Sequence, residues 1–216
     1  GFLPEALFNY LSLLGWSPGD DREKLSKDDL VSLFTMERVK SSPAQFDVNK
    51  LTNMNALYMA AMEPSAFTAA AWDFAARWDW RAKADKGLFA KVAALMQSRT
   101  KTFADVSAWG YFFDDGFAYD QKALKKFLSD PGSRRAVEEV SAKLESSPPS
   151  DTKEIEDAIR AVETAHGIAQ GKLNQPLRVA ITGTTVGAGV YETVALLGSG
   201  RASERIRKAL SMQVQQ

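Results

Sequence analysis

The 216-residue sequence contains no cysteine, which excludes disulfides and thiolate metal sites and fits a cytoplasmic protein. It has one histidine, His166, and a lone imidazole cannot assemble a metal site or a nucleophile–His–acid set without partners. No Walker-type loop and no zinc-ligand spacing occurs either, so no catalytic residue and no metal ligand is assigned. No run of about 18 apolar residues is present, which leaves no membrane-spanning helix to expect. The opening GFLPEALFNYL lacks the basic start of a signal peptide. Excess charge is missing as well, with 27 basic residues against 27 acidic ones. An anionic partner would therefore have to be met by cations gathered on one face.

What is present is helical periodicity. Leu3, Leu7, Tyr10, Leu11 and Leu14 form one apolar stripe, between an early Pro4 and a stop at Gly15. Ser26 and Asp29 form a capping-box pattern ahead of Leu30, Val31, Leu33 and Phe34. Asp47, Asp120 and Asp130-Pro131 each precede a further helical pattern. Residues 65–80 and 82–98 read as helices, and 103–109 as a short one. The aromatic and glycine-rich run 110–116 breaks the pattern. After the Ser146–Ser150 linker, which holds two prolines, helices are expected over 152–166 and 201–212. Sustained strand alternation is absent, and only the β-branched run Val179 to Thr185 is ambiguous. The chain is therefore expected to be all-α, helical bundle subdomains in series, with boundaries near Pro64 and Pro148: 1–63, 64–147 and 148–216.

The stretch from Gly171 to Gly198 concentrates polar chemistry. Pro176 can open a helix and Gly183 can close it in the left-handed conformation. The loop 184–189 then leads into a second helix, whose unpaired N-terminal amides attract anions. Arg178, Lys172, Gln175, Thr184 and Thr185 converge here, which suits a polar, anionic ligand. After His166 six cations stand against Glu192 and Glu204, a net +4. From spacing alone the better reading is an ordinary helix–loop–helix, with Val179 and Ile181 packed inside and Arg178 solvated.

Six segments carry a resemblance, in the same order along the chain: GFLPEALFNYLSLLGWSPGD, ERVKSSPAQFDVNKL, LMQSRTKTFAD, YFFDDGFAYDQKALKKFL, PLRVAITG and YETVALLG. Together they resemble the part of bacterial glutamyl-tRNA synthetases that follows the catalytic domain. That resemblance implies a stem-contact helical domain over 1–63 and a two-part α-helical anticodon-binding cage over 64–147 and 148–216. It implies a chain that grips tRNA(Glu) and reads its anticodon, while the parent glutamate–tRNA ligase attaches glutamate using ATP. Whether tRNA(Gln) is a second partner stays open, and neither DNA nor membrane is expected. No cofactor belongs to this chain, since ATP and magnesium serve the parent's catalytic domain. The start at Gly1, with no initiator Met, suggests a piece of a longer chain, and whether both ATP signatures lie upstream separates this reading from its competitor. The competing reading is a helical protein-interaction module, or a repurposed paralogue with no tRNA role.

By position, Arg178 matches the family's arginine in the PLR motif and is the first choice for a base contact, because guanidinium both pairs and stacks. Gly187 stands where the family often has Ser or Thr, so a hydroxyl contact there is in doubt and Thr184 or Thr185 could replace it. Lys91 takes the place of an arginine that in some members checks the last anticodon base. Arg99 is a second candidate, for a phosphate, or else a solvated helix-end cation. Arg38 and Lys40 fall in the stem-contact part, and Trp78 and Trp80 read as core before stacking platforms. Lys24-Leu25-Ser26-Lys27 imitates the synthetase ATP loop, but Ser26 is better explained as a helix cap. Asp114-Asp115 reads as a turn rather than a metal site.

Overall fold

The computed structural model describes residues 1–39 and 44–212. It is all-α: among the described residues there is no strand, and Trp16 and Val39 meet in an isolated antiparallel bridge. None of these helices is long and apolar enough to cross a membrane. The chain forms two compact units, residues 1–82 with 89–109, and residues 83–88 with 110–216. By packing, 64–82 and 89–109 thus group with the N-terminal helices, whereas the proline-based reading cut at Pro64 and Pro148.

In the first unit, α1 (Pro4–Leu13) begins with its proline in the first turn, where a missing N–H costs nothing. The expected capping box starts α2 (Lys27–Leu33): Ser26 Oγ accepts the Asp29 N–H at 3.0 Å, and Asp29 accepts the Ser26 N–H at 3.0 Å. Asp47 caps α3 (Val48–Ala61) through the amides of Asn49 and Lys50. Pro64 opens α4 (Pro64–Ala75), and α5 (Lys86–Met96) follows. The segment expected as a short helix over 103–109 is a 3-10 helix that runs from Phe103 to Phe112. Phe103, Val106, Trp109 and Phe112 recur every third residue and are all buried. A period of three matches three residues per turn, so the winding follows the apolar pattern. Phe67 and Phe89 pack their rings on Trp109 at centroid distances of 6.2 and 5.7 Å.

The second unit is built from α6 (Gln121–Leu128), α7 (Pro131–Ser146), α8 (Thr152–Ala165), α9 (Asn174–Thr182), α10 (Val190–Leu197) and α11 (Ser199–Ser211). Asp120, Asp130 and Asp151 cap the first three through side-chain oxygens. One core joins Leu124, Leu128, Val137, Leu144, Ile159, Leu177 and Ile206. α11 packs on α7 and α9. Small residues bring the first pair close: Ser141 and Ser203 each donate a hydroxyl to the other's backbone carbonyl, at 3.3 and 3.1 Å. The ambiguous Val179–Thr185 run lies mostly inside α9. Leu177, Val179, Ala180 and Ile181 are all buried to 1% exposure or less. A helix apolar on nearly every side is a core helix, and that burial overrides the strand preference of valine and isoleucine.

Candidate nucleic-acid interface

α9 carries Arg178 and is gripped at both ends. Its N-cap residue, Leu173, supplies no capping side chain. Instead the buried carboxylate of Glu163, on α8, accepts the Leu173 N–H at 3.0 Å and pairs with Arg160 at 3.1 Å. At the C-terminal end the orphan carbonyls expected of any helix find partners from elsewhere. Tyr119 Oη donates to Ala180 O at 3.1 Å, Arg205 to Ile181 O at 3.0 Å, and the Asp120 N–H to Gly183 O at 2.8 Å. Gly183 takes the left-handed conformation expected of it, with φ +74°. A Cβ at Gly183 would stand 2.6 Å from Ala118 O, so the close approach needs glycine twice over.

On this fixed helix Arg178 is half-buried, and among the described residues no carboxylate pairs with it. Its Nε is buried without a hydrogen-bond partner, as are Gln175 Oε1 and Asn174 Oδ1. Asn174 and Arg178 are four residues apart and share a helix face. Arg178 itself is only half-buried, so its guanidinium is the group on this face that an acceptor from outside could meet. Tyr111 stands next to this set. Its hydroxyl is buried and lies 3.1 Å from where a Cβ on Gly187 would be. Burial pushes the Tyr111 hydroxyl above its ordinary pKa, against the opposing pull of the Ala188 backbone, Thr193, Arg178 and Arg205. Gly187, with φ +154°, therefore leaves room for Tyr111 rather than supplying a hydroxyl of its own.

Six of the eight expected contact residues, Lys172, Gln175, Arg178, Thr184, Thr185 and Gly187, belong to the second unit, and Lys91 and Arg99 to the first. Lys172 is exposed, and Thr184 and Thr185 are half-buried. The Thr184 hydroxyl accepts the Val186 N–H at 3.3 Å, a local turn bond that competes with any ligand. Lys91 is exposed on α5. Arg99 donates to Leu95 O at 2.9 Å, which is how a helix-end cation behaves. Arg38 donates to Pro18 O, and Lys40 lies outside the described residues.

Two expectations change on the structure. The N-terminus of α10, expected to attract an anion, is already served by the protein: the Glu192 carboxylate folds back onto Gly189. A carboxylate there takes the favourable field and repels phosphate. Half of the six cations behind the net +4 are already paired within the chain. Arg201 and Arg205 both bind Asp115, at 3.0 and 2.6 Å, and Arg207 pairs with Glu145. Burial alone would raise the Asp115 carboxyl, but hydrogen bonds from Arg201 and Arg205 outweigh it and hold it below the usual carboxylate value. Asp114 pairs with Lys83 at 2.6 Å. His166 caps α8 and meets Glu139 at 2.8 Å. Trp78 and Trp80 stack on each other at 6.2 Å, with Trp80 in the core.

Asn174 and Tyr111 are the members that sequence reasoning missed. The spacing of Asn174 from Arg178 was a usable signal; nothing local in the sequence points from Tyr111 to Gly187.

The model of the anticodon binding domain family matches residues 60–210. The glutamate–tRNA ligase of Thermobifida fusca is 37% identical over 216 residues, covering 97% of this chain and 45% of its own length. That of Moorella thermoacetica is 34% identical and is covered over 44% of its length. The chain thus spans less than half the length of these curated relatives. A crystal structure of a glutamate tRNA ligase from Elizabethkingia meningosepticum, in complex with its amino acid, superposes with a TM-score of 0.81 at 28% identity. The match covers 97% of this chain and 41% of that one.

Proposed function

The chain belongs to the anticodon-binding domain family, and from that premise we propose that it is the tRNA-binding half of a cytoplasmic glutamate–tRNA ligase. In this reading the complete enzyme attaches glutamate to tRNA(Glu) with ATP and magnesium bound in its catalytic half. The present chain supplies grip and anticodon readout. Residues 1–63 serve the stem contact, and 64–147 with 148–216 serve the anticodon.

The observation that carries the reading is Arg178. It is a half-buried guanidinium with no carboxylate partner among the described residues, on a helix fixed at both ends. A cation held so firmly, and left without a protein partner, is prepared for an acceptor from outside. Unstacked anticodon bases present such acceptors. Lys172, Thr184 and Thr185 flank the site, and Gly187 contributes backbone only. Lys91 and Arg99 are assigned to the first part of the anticodon-binding region.

Titrating the chain with tRNA(Glu) and with a transcript whose anticodon is replaced tests the reading. The cognate transcript is expected to bind more tightly, and affinity to fall steeply with salt as lysines and arginines displace counterions. Equal binding of both transcripts, indifferent to salt, overturns it. Running tRNA(Gln) in the same titration decides whether it is a second partner.

A further inference from the structure

Arg205 is 3% exposed and cannot touch RNA, yet it holds together the parts that place Arg178. Its Nε donates to Asp115 Oδ1 at 2.7 Å, one terminal nitrogen to Ile181 O at 3.0 Å, and the other to Tyr111 O at 2.6 Å. The rigid guanidinium plane thus joins three partners in one geometry, with the Phe117 ring 4.8 Å from its carbon. Ile181 lies three residues after Arg178 on α9, so this bond fixes the turn that carries the reading residue. Tyr111 is the residue whose hydroxyl sits beneath Gly187, so the same plane also fixes the floor of the loop that follows α9.

We infer that Arg205 is a positioning residue for Arg178: by tying Ile181, Tyr111 and Asp115 into one buried plane, it sets where the Arg178 guanidinium stands. The inference rests on the anticodon-reading proposal for its consequence, but its geometric content is independent of RNA. Arg201 provides an internal comparison. It shares the Asp115 carboxylate, at 3.0 and 3.1 Å, and reaches Phe112 O, but its hydrogen bonds include no atom of α9. Lysine at either position keeps the charge and loses the planar fork.

The test uses the 216-residue chain as wild type, Arg205→Lys and Arg201→Lys. Three quantities are read: the Arg178 Nε–Hε resonance in the free protein, the affinity ratio between cognate and anticodon-replaced transcripts, and thermal unfolding. Arg205→Lys is expected to shift the Arg178 resonance and to lower the affinity ratio about tenfold, as for weakening one bidentate base contact. The salt slope should stay unchanged, because no phosphate-contacting cation is removed. Arg201→Lys should leave resonance and ratio alone. A folded Arg205→Lys with both unmoved overturns the inference. Should Arg205→Lys fail to fold, Asp115→Asn removes the carboxylate that accepts from Arg205 Nε at 2.7 Å while touching no atom of α9, with Arg201→Lys controlling for the other arginine on Asp115. A shifted Arg178 resonance then supports the inference, and an unmoved one overturns it. If wild type binds both transcripts alike, the base-reading proposal fails, and the resonance alone decides the role of Arg205.

Discussion

Glu163 anchors the start of α9 from a different helix: its carboxylate, 1% exposed as a residue, accepts the N–H of the N-cap Leu173 at 3.0 Å. Removing it leaves that amide unpaired and Arg160 short of one partner. Glu163→Ala is expected to lower stability by about 1.5–3 kcal/mol, the range for a hydrogen bond to a charged group. Glu163→Gln keeps an acceptor and should lose less. Chemical denaturation of both variants checks the order; equal and negligible losses would show that α9 does not depend on this bond.

Gly183 and Gly167 separate conformational cost from crowding. Both have positive φ, +74° and +62°, but a Cβ meets Ala118 O at 2.6 Å at Gly183 and nothing within 4 Å at Gly167. Gly167→Ala should cost about 1–2 kcal/mol for the left-handed backbone. Gly183→Ala should cost that and about 1–3 kcal/mol more for overpacking against backbone. Thermal unfolding of the pair reads the difference directly.

Asp115 makes a signed contribution with pH. Its carboxyl lies below the ordinary 3.8 in the folded chain, because Arg201 and Arg205 outweigh the effect of burial. A depressed carboxyl stabilises the fold fully above the unfolded value. That contribution is lost as pH falls below 3.8 towards the lowered folded value. The melting-temperature gap between wild type and Asp115→Asn should therefore be widest near neutrality and narrow from about pH 4 downwards. A gap constant from pH 6 to pH 3 would mean that the two arginines do not sense this charge.

Ser26 tests the imitation of an ATP loop. If it is only a cap, Ser26→Ala should cost about 1 kcal/mol of stability through loss of the capping box. Equilibrium dialysis should find no ATP binding for either protein. ATP retained by wild type and lost in the variant would reverse that assignment.

Arg178 itself should behave as a base reader. Arg178→Ala is expected to cost about 1–3 kcal/mol of binding to the cognate transcript and much less to an anticodon-replaced one. Arg178→Lys should not restore it, since a point charge cannot make a bidentate contact. Uniform weakening of both transcripts, with rescue by lysine, would reassign Arg178 to a phosphate.

The sequence by itself determined the helices and their starts. Ser26, Asp47, Asp120 and Asp130 act through amides two or three residues away, so their caps are local chemistry that a short window contains. It also determined the family likeness, and with it Arg178 as the residue to watch. Tertiary structure decided what each charge is for. In sequence, Arg178, Arg201 and Arg205 look alike; only packing gives two of them Asp115 and leaves the third with no carboxylate partner among the described residues. Tertiary structure likewise made a helix of the β-branched Val179–Thr182 run, because burial on almost every side outweighs a preference of a few tenths of a kcal/mol per residue. The field at the start of α10 is answered by Glu192, whose fold-back onto Gly189 depends on a conformation that composition does not specify. Pairing between distant segments is set by the folded core, and no local pattern encodes it.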